Sequence, residues 1–317
     1  MIKFLAKRFL QALLMIFFIS VITFGLMHMA PGDPGAAYIT PQMTPQQVQQ
    51  VRVKLGLDQP VYIQYIKWLS NVLQGDLGHS LIDFRPITGT LKERIPATFG
   101  LMGASLIISL LISIPIGLCT GLKKNSFMDK FVTFISYIGI SIPSFWFSIM
   151  LIYVFSVKLH MLPSVGMRTI GIENSVWDVI KHGIMPCIVL SFYNISIYTR
   201  YIRSSTISEL RNNYVRTAEA FGLPKSKILL KYVFKNVLLP IITILCMGLP
   251  GLVTGAFVTE TVFAWPGMGR LGVNAIFNYD YPMIMAITMI TSILLILGNL
   301  LADILYSFVD PRIKDMR

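Results

Sequence analysis

The sequence predicts an all-α membrane protein with six transmembrane helices and an extracytoplasmic helical loop after the first of them. Its 317 residues are 54% hydrophobic and only 13% charged, whereas soluble domains carry about 25% charged residues. The mean hydropathy is +0.67. The apolar residues are also concentrated in long runs, and about 20 consecutive apolar residues are needed to cross a bilayer as a helix.

Six apolar runs meet this requirement, at positions 9–30, 97–120, 131–157, 184–201, 238–263 and 282–309. The first run is longer than the apolar core of a signal peptide, which has about 7–15 residues, so we expect a retained anchor. The runs divide the chain into an N-terminal anchor at 1–31, an outer loop at 32–95 and a core of five spans at 96–317. The core contains a cytoplasmic loop at 202–236.

The positive charges are distributed unevenly between the segments that join these runs. With the N-terminus in the cytoplasm, 17 of the 27 Lys and Arg lie inside and 10 lie outside, as the positive-inside rule requires. We therefore expect both termini in the cytoplasm. The net charge of +12 forms no basic stripe on a soluble fold, so no nucleic-acid partner is expected. Cys119, Cys187 and Cys246 lie in apolar runs, which indicates neither a disulfide nor a thiolate metal site.

The outer loop is predicted to contain two helices. Thr44 and Gln47 form a capping box around Pro45, and Gly56 can end the helix that follows. A second helix is expected to begin near Pro60. Its apolar side would carry Tyr62, Ile66, Leu69 and Leu73, with Tyr65 and Trp68 nearby, and it would end at Gly75. Aromatic, amphipathic helices of this kind lie at the membrane surface or cover a membrane domain.

The segment 201–240 is the most informative cytoplasmic stretch. Eight Lys and Arg lie between Arg200 and Lys235, and only Glu209 and Glu219 oppose them. This local charge favours a cytoplasmic location, because positive residues accumulate in cytoplasmic loops.

A short helix is predicted within this segment. Asn213 can cap its N-terminus, Gly222 can end it in the left-handed conformation, and Pro224 suits the first turn of the next helix. The predicted apolar face carries Tyr214, Ala218 and Phe221, and the other face carries Arg216 and Glu219. A two-turn helix is unstable alone, so we expect its apolar face to be buried in a groove of a partner.

This helix also carries a resemblance to a known family. Arg216-Thr217-Ala218-Glu219-Ala220-Phe221-Gly222, followed by Leu223-Pro224, resembles the cytoplasmic coupling loop of ABC importer permeases of the dipeptide, oligopeptide and nickel branch. The general importer pattern begins Glu-Ala-Ala, whereas this chain has Arg-Thr-Ala, a departure that is usual in the peptide branch. Further stretches resemble the same branch, namely Gly75-Asp76-Leu77-Gly78, Glu260-Thr261-Val262-Phe263, Trp265-Pro266-Gly267-Met268-Gly269 and Asp280-Tyr281-Pro282.

The resemblance implies a permease of the type I ABC importer fold in a bacterial inner membrane. Its partners would be a second homologous permease, two cytoplasmic ATPase subunits, an extracytoplasmic substrate-binding protein and membrane lipid. Contacts with the ATPase would be made by Tyr214, Arg216, Thr217, Ala218, Glu219, Ala220, Phe221 and Gly222. No G-x-x-x-x-G-K-[ST] loop occurs in this chain, so ATP and Mg²⁺ are expected on the ATPase subunits and no cofactor on this chain.

The fifth apolar run contains candidate residues for the translocation path. Pro250 is expected to bend this run, which membrane helices tolerate when their neighbours satisfy the backbone. Gly251 and Gly255 form a small-xxx-small pair that permits close helix approach. Both a pore-lining role and ordinary packing within the chain remain open for these residues.

Two acids lie near the ends of predicted spans. Glu260 is predicted to line an outer gate or to bind Arg270, and Asp303 to be functional or to pair with Arg312. Neither lies in the middle of the membrane, where a proton-coupled secondary transporter, the alternative from another class, would need ionisable residues.

Peptides are the expected cargo, and nickel or a metal chelate is the alternative within the family. His28, His79, His160 and His182 all fall on the predicted outer side, and imidazole is a common ligand of transition metals. They have no ligand spacing on one helix, so we expect unrelated surface histidines. A membrane enzyme is not expected, because neither G-x-S-x-G nor H-E-x-x-H occurs.

Overall fold

The computed structural model describes residues 2–29, 43–172, 175–248 and 251–309, and within these ranges it is built from helices without a β-strand. In chain order the helices are α1 (Ile2–Met29), α2 (Pro45–Leu55), α3 (Val61–Leu73), α4 (Ile87–Leu122), α5 (Phe127–Ser141), α6 (Ser144–Leu151, continued as a π-helix at Ile152–Lys158), α7 (Val176–Glu209), α8 (Asn213–Ala220), α9 (Lys225–Ile228, continued as a π-helix at Leu229–Val233), α10 (Phe234–Gly248), α11 (Gly251–Thr254), α12 (Phe257–Val262), α13 (Met268–Phe277) and α14 (Tyr281–Val309).

Within the described ranges, four helices are long and apolar enough to cross a membrane, namely α1, α4, α7 and α14. They correspond to the first, second, fourth and sixth predicted spans. The 36 residues of α4 and the 34 residues of α7 extend for about 50 Å, whereas the hydrocarbon core is about 30 Å thick. Both helices therefore continue beyond their apolar runs at both ends.

The third predicted span is not one straight helix. α5 ends at Ser141, α6 begins at Ser144, and the two axes meet at 99°. Pro143 lies in this break, where its ring and its missing N–H prevent the helix from continuing. The bent pair provides a fifth candidate span.

The fifth predicted span, at 238–263, is also interrupted. α10, α11 and α12 follow one another here, and Gly255 between α11 and α12 has a φ of +79°. This conformation excludes a continuous helix, so the expectation that Gly251 and Gly255 share one helical face is wrong. Pro250 lies outside the described residues.

The pairing of α4 with α7 depends on small residues. A Cβ added to Gly117 would lie 2.7 Å from Ile202 Cβ, and one added to Gly121 would lie 2.6 Å from Thr206 Cβ. Such glycines let two membrane helices approach closely and gain van der Waals contact.

Replacing Gly121 with Val is expected to destabilise the α4–α7 pair. The new side chain would overlap Thr206, and overpacking of this kind costs about 1–3 kcal/mol. The apparent melting temperature of the detergent-purified protein measures the effect. The matched control is Gly103→Val in the same helix, where an added Cβ meets nothing within 4 Å; an equal loss in both variants would contradict the packing argument.

The first helix of the outer loop agrees with its prediction. Gln47 N–H donates to Thr44 Oγ1 at 3.3 Å, and Thr44 N–H donates to Gln47 Oε1 at 2.8 Å. The helix ends at Gly56, which has a φ of +70°. The capping box and the glycine terminator are both confirmed.

The second loop helix, α3, packs on α1 with a different side from the one predicted. The Tyr65 hydroxyl lies 2.8 Å from Ser20 Oγ, and the Phe24 ring contacts both Tyr65 and Trp68. The predicted apolar side is instead largely exposed at Tyr62, Ile66 and Leu73. Because α3 has apolar residues around much of its circumference, periodicity alone does not define its buried side. The side that packs on α1 is the one that carries Tyr65 and Trp68.

Candidate functional site

The short helix α8 lies between the end of α7 and the start of α9, and its end is locally defined by the sequence. Gly222 has a φ of +72°, its N–H donates to Glu219 O at 2.9 Å, and Leu223 N–H donates to Ala218 O at 3.2 Å. These two bonds form a Schellman motif, which is a common helix terminator with glycine in the left-handed position. The predicted role of Gly222 is confirmed.

The start of α8 differs by one residue from the prediction. The N-cap is Asn212, which has extended backbone, and not Asn213. The Asn212 side chain does not cap the helix but donates from Nδ2 to Glu209 Oε2 at 3.0 Å. Pro224 likewise lies directly before α9, where its carbonyl accepts from Lys227 N–H at 2.9 Å, and not in the first turn of that helix.

The inward face of α8 is used within this chain. Val215 and Ala218 are buried in one apolar cluster with Ile202 of α7 and Val233 from the segment after α9. The prediction that Tyr214, Ala218 and Phe221 share one face is therefore wrong, because Ala218 is buried against the chain's own helices whereas Phe221 is 81% exposed. Burial of Phe221 in a partner stays a prediction. Packing on its own helices supplies the stability that a two-turn helix lacks alone.

The outward face of α8 is polar apart from one aromatic side chain at its end. The exposed residues of α8 and of the turn that follows it are Asn213, Arg216, Thr217, Glu219, Ala220, Phe221 and Gly222. An exposed aromatic ring beside charged groups, held on a rigid short helix, has the character of an anchor in a protein–protein interface. α8 is therefore braced on one side and free for a partner on the other.

A polar cluster connects α8 to its neighbours. The Tyr214 hydroxyl donates to Glu209 Oε2 at 2.6 Å, and Asn236 Nδ2 of α10 donates to the same oxygen at 3.1 Å. Burial, together with the hydrogen bond to Glu209, raises the pKa of Tyr214, so its hydroxyl stays protonated and donating at neutral pH. Glu209 thereby joins the ends of α7, α8 and α10 at a single carboxylate.

Replacing Tyr214 with Phe is expected to loosen α8 without unfolding the protein. The change removes one hydrogen bond to a charged group, worth about 1.5–3 kcal/mol, but keeps the ring. We expect a lower apparent melting temperature of the detergent-purified protein, with the helical fold intact. Tyr232→Phe is the matched control on the neighbouring segment, and an equal melting temperature in both variants would contradict a connecting role for this cluster.

A second polar link joins α5 to α7. The Arg203 guanidinium donates from Nε and Nη2 to the two carboxylate oxygens of Asp129, and Asn125 N–H donates to Asp129 Oδ2 at 2.8 Å. Neither the pairing of Arg203 with Asp129 nor the role of Glu209 was predicted from the sequence. A signal was available for Asp129, because Ser126 lies three residues before it and caps α5, a recurrent pattern at helix starts.

At the other end of the core, Glu260 is fully buried in a group of hydrogen-bond donors. Its carboxylate accepts from Thr98 Oγ1 at 2.9 Å, from Arg270 N–H at 3.1 Å and from Ala256 N–H at 3.4 Å. The Arg270 guanidinium does not bind it and donates instead to Ala264 O at 2.7 Å. A local partner was one predicted alternative, and the partners prove to be backbone N–H groups and a threonine.

Close approach at Glu260 requires glycine in the surrounding loops. An added Cβ at Gly255 would overlap the carboxylate and lie 2.9 Å from Gly269 N, and one at Gly267 would overlap both the carboxylate and Thr98 Oγ1. Glu260 therefore fastens α4, α12 and α13 together. Because its side chain is fully buried, Glu260 does not line an open path among the described residues. The side chain of Asp303 lies outside the described residues.

The histidines were expected to be unrelated surface residues, but this is wrong for His182. His182 is buried, with Nδ1 2.9 Å from Asp178 O, and His28 stacks on Phe24 and lies 3.1 Å from Gln64 Oε1. Within the described ranges, no three His, Cys, Asp or Glu side chains are grouped as a metal ion would require.

Comparison with known proteins relates this chain to a protein family. The sequence profile described as "Binding-protein-dependent transport system inner membrane component" matches residues 113–315, and the profile for the N-terminal part of such membrane components matches residues 1–102.

Among curated relatives, the chain is 40% identical over 315 residues to the oligopeptide transport system permease protein AppB of Bacillus subtilis, covering 99% of this chain and 100% of that protein. It is 36% identical over 314 residues to the probable D,D-dipeptide transport system permease protein DdpB of Escherichia coli K12, covering 93% and 92%. It is 34% identical over 314 residues to the glutathione transport system permease protein GsiC of the same strain, covering 99% of each. The chain belongs to the family of binding-protein-dependent ABC transport system inner membrane components.

Proposed function

We propose that this chain forms half of the translocation path of an ATP-driven importer for short peptides. The observation that carries the proposal is α8, a helix braced by its own chain at Val215, Ala218 and Glu209 that presents Arg216 and Phe221 outward. The names of the relatives AppB, DdpB and GsiC refer to oligopeptides, D,D-dipeptides and glutathione, which supports peptide cargo over nickel.

The proposed assembly contains a second homologous permease, two ATPase subunits and an extracytoplasmic binding protein. In this arrangement the exposed face of α8 contacts an ATPase subunit, and Gly222 keeps the following chain out of that contact. The proposed six spans are α1, α4, the pair α5–α6, α7, the series α10–α12, and α14. ATP hydrolysis takes place on the ATPase subunits, and this chain transmits the resulting motion.

Uptake by the reconstituted complex tests the proposed cargo. Vesicles that contain both permeases and the ATPase subunits are supplied with the binding protein and with a radiolabelled dipeptide, a pentapeptide or nickel. We expect ATP-dependent uptake of a peptide. Uptake of nickel alone would overturn the peptide assignment and leave the importer assignment in place.

The orientation is tested by cysteine labelling in a background that lacks the three native cysteines. We expect Asp58→Cys, in the outer loop, to react with a membrane-impermeant maleimide added to intact cells. Ser226→Cys, in α9, should react only after the membrane is opened. Labelling of position 226 in intact cells would contradict the proposed cytoplasmic location of α8.

A further inference from the structure

A cavity of about 600 Å³ lies between α5 and α7, near the end of α7 that leads into α8. Six of its lining residues define its chemical character, namely Thr133, Tyr137 and Ile140 from α5 and Ile197, Arg200 and Ser204 from α7. The cavity is separate from the exposed face of α8 and from the buried site of Glu260.

The lining changes from polar to apolar along the helix axes. Thr133 and Ser204 lie nearest the α8 end, whereas Ile140 and Ile197 lie seven residues further along their helices. Seven residues correspond to about 10 Å at 1.5 Å per residue. The polar end therefore lies near the level at which α7 leaves the apolar run, and the apolar end lies deeper.

The positive charge of Arg200 is available at the middle of this cavity. Its guanidinium lies over the Tyr137 ring at 4.7 Å from the centroid, which orients the group as a cation–π contact does. Arg203 also lines the cavity but is bound to Asp129, whereas Arg200 has no carboxylate partner within the described ranges.

We propose that this cavity binds an anionic phospholipid of the cytoplasmic leaflet. The phosphate is held by the Arg200 guanidinium with the hydroxyls of Thr133 and Ser204, and an acyl chain lies along Ile140 and Ile197. Basic pockets between membrane helices on the cytoplasmic side bind anionic head groups in this way. The inference rests on the proposed function in one respect, because the location of α8 defines which end is cytoplasmic.

Native mass spectrometry of the purified permease–ATPase complex tests the site with two probes, phosphatidylglycerol and phosphatidylcholine with the same acyl chains. We expect wild type to retain phosphatidylglycerol in preference. Arg200→Gln should weaken this binding by about fivefold or more, since a basic residue at the membrane surface is worth about 1 kcal/mol to an anionic lipid. Arg200→Lys keeps the charge and should retain part of the preference.

The control is Arg211→Gln, which removes the same charge from an exposed position outside the cavity. An equal loss in Arg200→Gln and Arg211→Gln, or no loss in either, would overturn the proposal. Unchanged lipid retention with a raised KM for peptide uptake in Arg200→Gln would assign the cavity to the cargo path instead. Peptide uptake by wild type is scored separately, so failure of the lipid site and failure of the importer assignment give different results.

Discussion

Replacing Glu260 with Ala is expected to abolish uptake and to lower the stability of the part of the core in which α4, α12 and α13 meet. The carboxylate is fully buried and accepts from Thr98 Oγ1 and Arg270 N–H. Each donor left without an acceptor costs about 1–3 kcal/mol, so the two together cost roughly 2–6 kcal/mol. The loops that carry Gly255 and Gly267 would lose the group around which they fold.

The apparent melting temperature and ATP-dependent uptake measure this effect. Glu260→Gln keeps the size and one acceptor oxygen of the side chain, and it should fall between wild type and Glu260→Ala. The matched control is Glu93→Ala, because Glu93 is half exposed and pairs with Arg85, and surface pairs contribute about 0–1 kcal/mol. A Glu260→Ala protein as stable as Glu93→Ala would contradict the fastening role.

Replacing Phe221 with Ala is expected to weaken the binding of the ATPase subunit by about 30-fold or more, the effect of losing a hot-spot residue worth 2 kcal/mol. The ring is 81% exposed in this chain and lies directly before the turn at Gly222, so its removal changes the partner surface and leaves the internal packing of Val215 and Ala218 untouched. We therefore expect unchanged stability of the isolated permease.

Titration of the permease pair in nanodiscs with purified ATPase measures this affinity, with the second permease left unchanged. Phe277→Ala is the matched control, since Phe277 is 78% exposed at the end of α13, far along the chain from α8. Equal affinities for the two variants would mean that Phe221 is not an anchor for the ATPase.

Much of the local structure could be predicted because it depends on a few neighbouring residues. The capping box of Thr44 and Gln47, the left-handed Gly56 and the Schellman turn at Gly222 each follow from side-chain and backbone chemistry within one or two helical turns. The long apolar runs of α4 and α7 could also be recognised from the sequence, because the length of an apolar run alone identifies a helix that can cross the membrane.

Apart from a shift of the α8 N-cap from Asn213 to Asn212 and the position of Pro224 before α9, the errors concern tertiary contacts. The periodicity of apolar residues predicted that Phe221 is on the buried side of α8. In the structure Val215 is buried there instead, because it packs in one cluster with Ile202 of α7. Likewise, Gly255 was predicted to lie on a helix face. In the structure it has a left-handed conformation and lies in the turn that packs against the Glu260 carboxylate. No spacing rule connects Glu209 with Asn236, which are 27 residues apart in the sequence, so the polar cluster at α8 required the structure.

ATP hydrolysis stimulated by loaded binding protein, in vesicles that contain the complete complex, tests the coupling role of α8 most directly. The informative variants are Gly222→Val and Arg216→Glu. Gly222 has a φ of +72° and open space around it, so Val adds only the strain of the left-handed region, about 1–2 kcal/mol, and would shift the end of α8. Arg216→Glu reverses an exposed charge of the proposed contact.

We predict that the complex with Gly222→Val assembles but no longer responds to loaded binding protein, and that less ATPase co-purifies with Arg216→Glu. Full stimulation in Gly222→Val together with full assembly in Arg216→Glu would contradict the account.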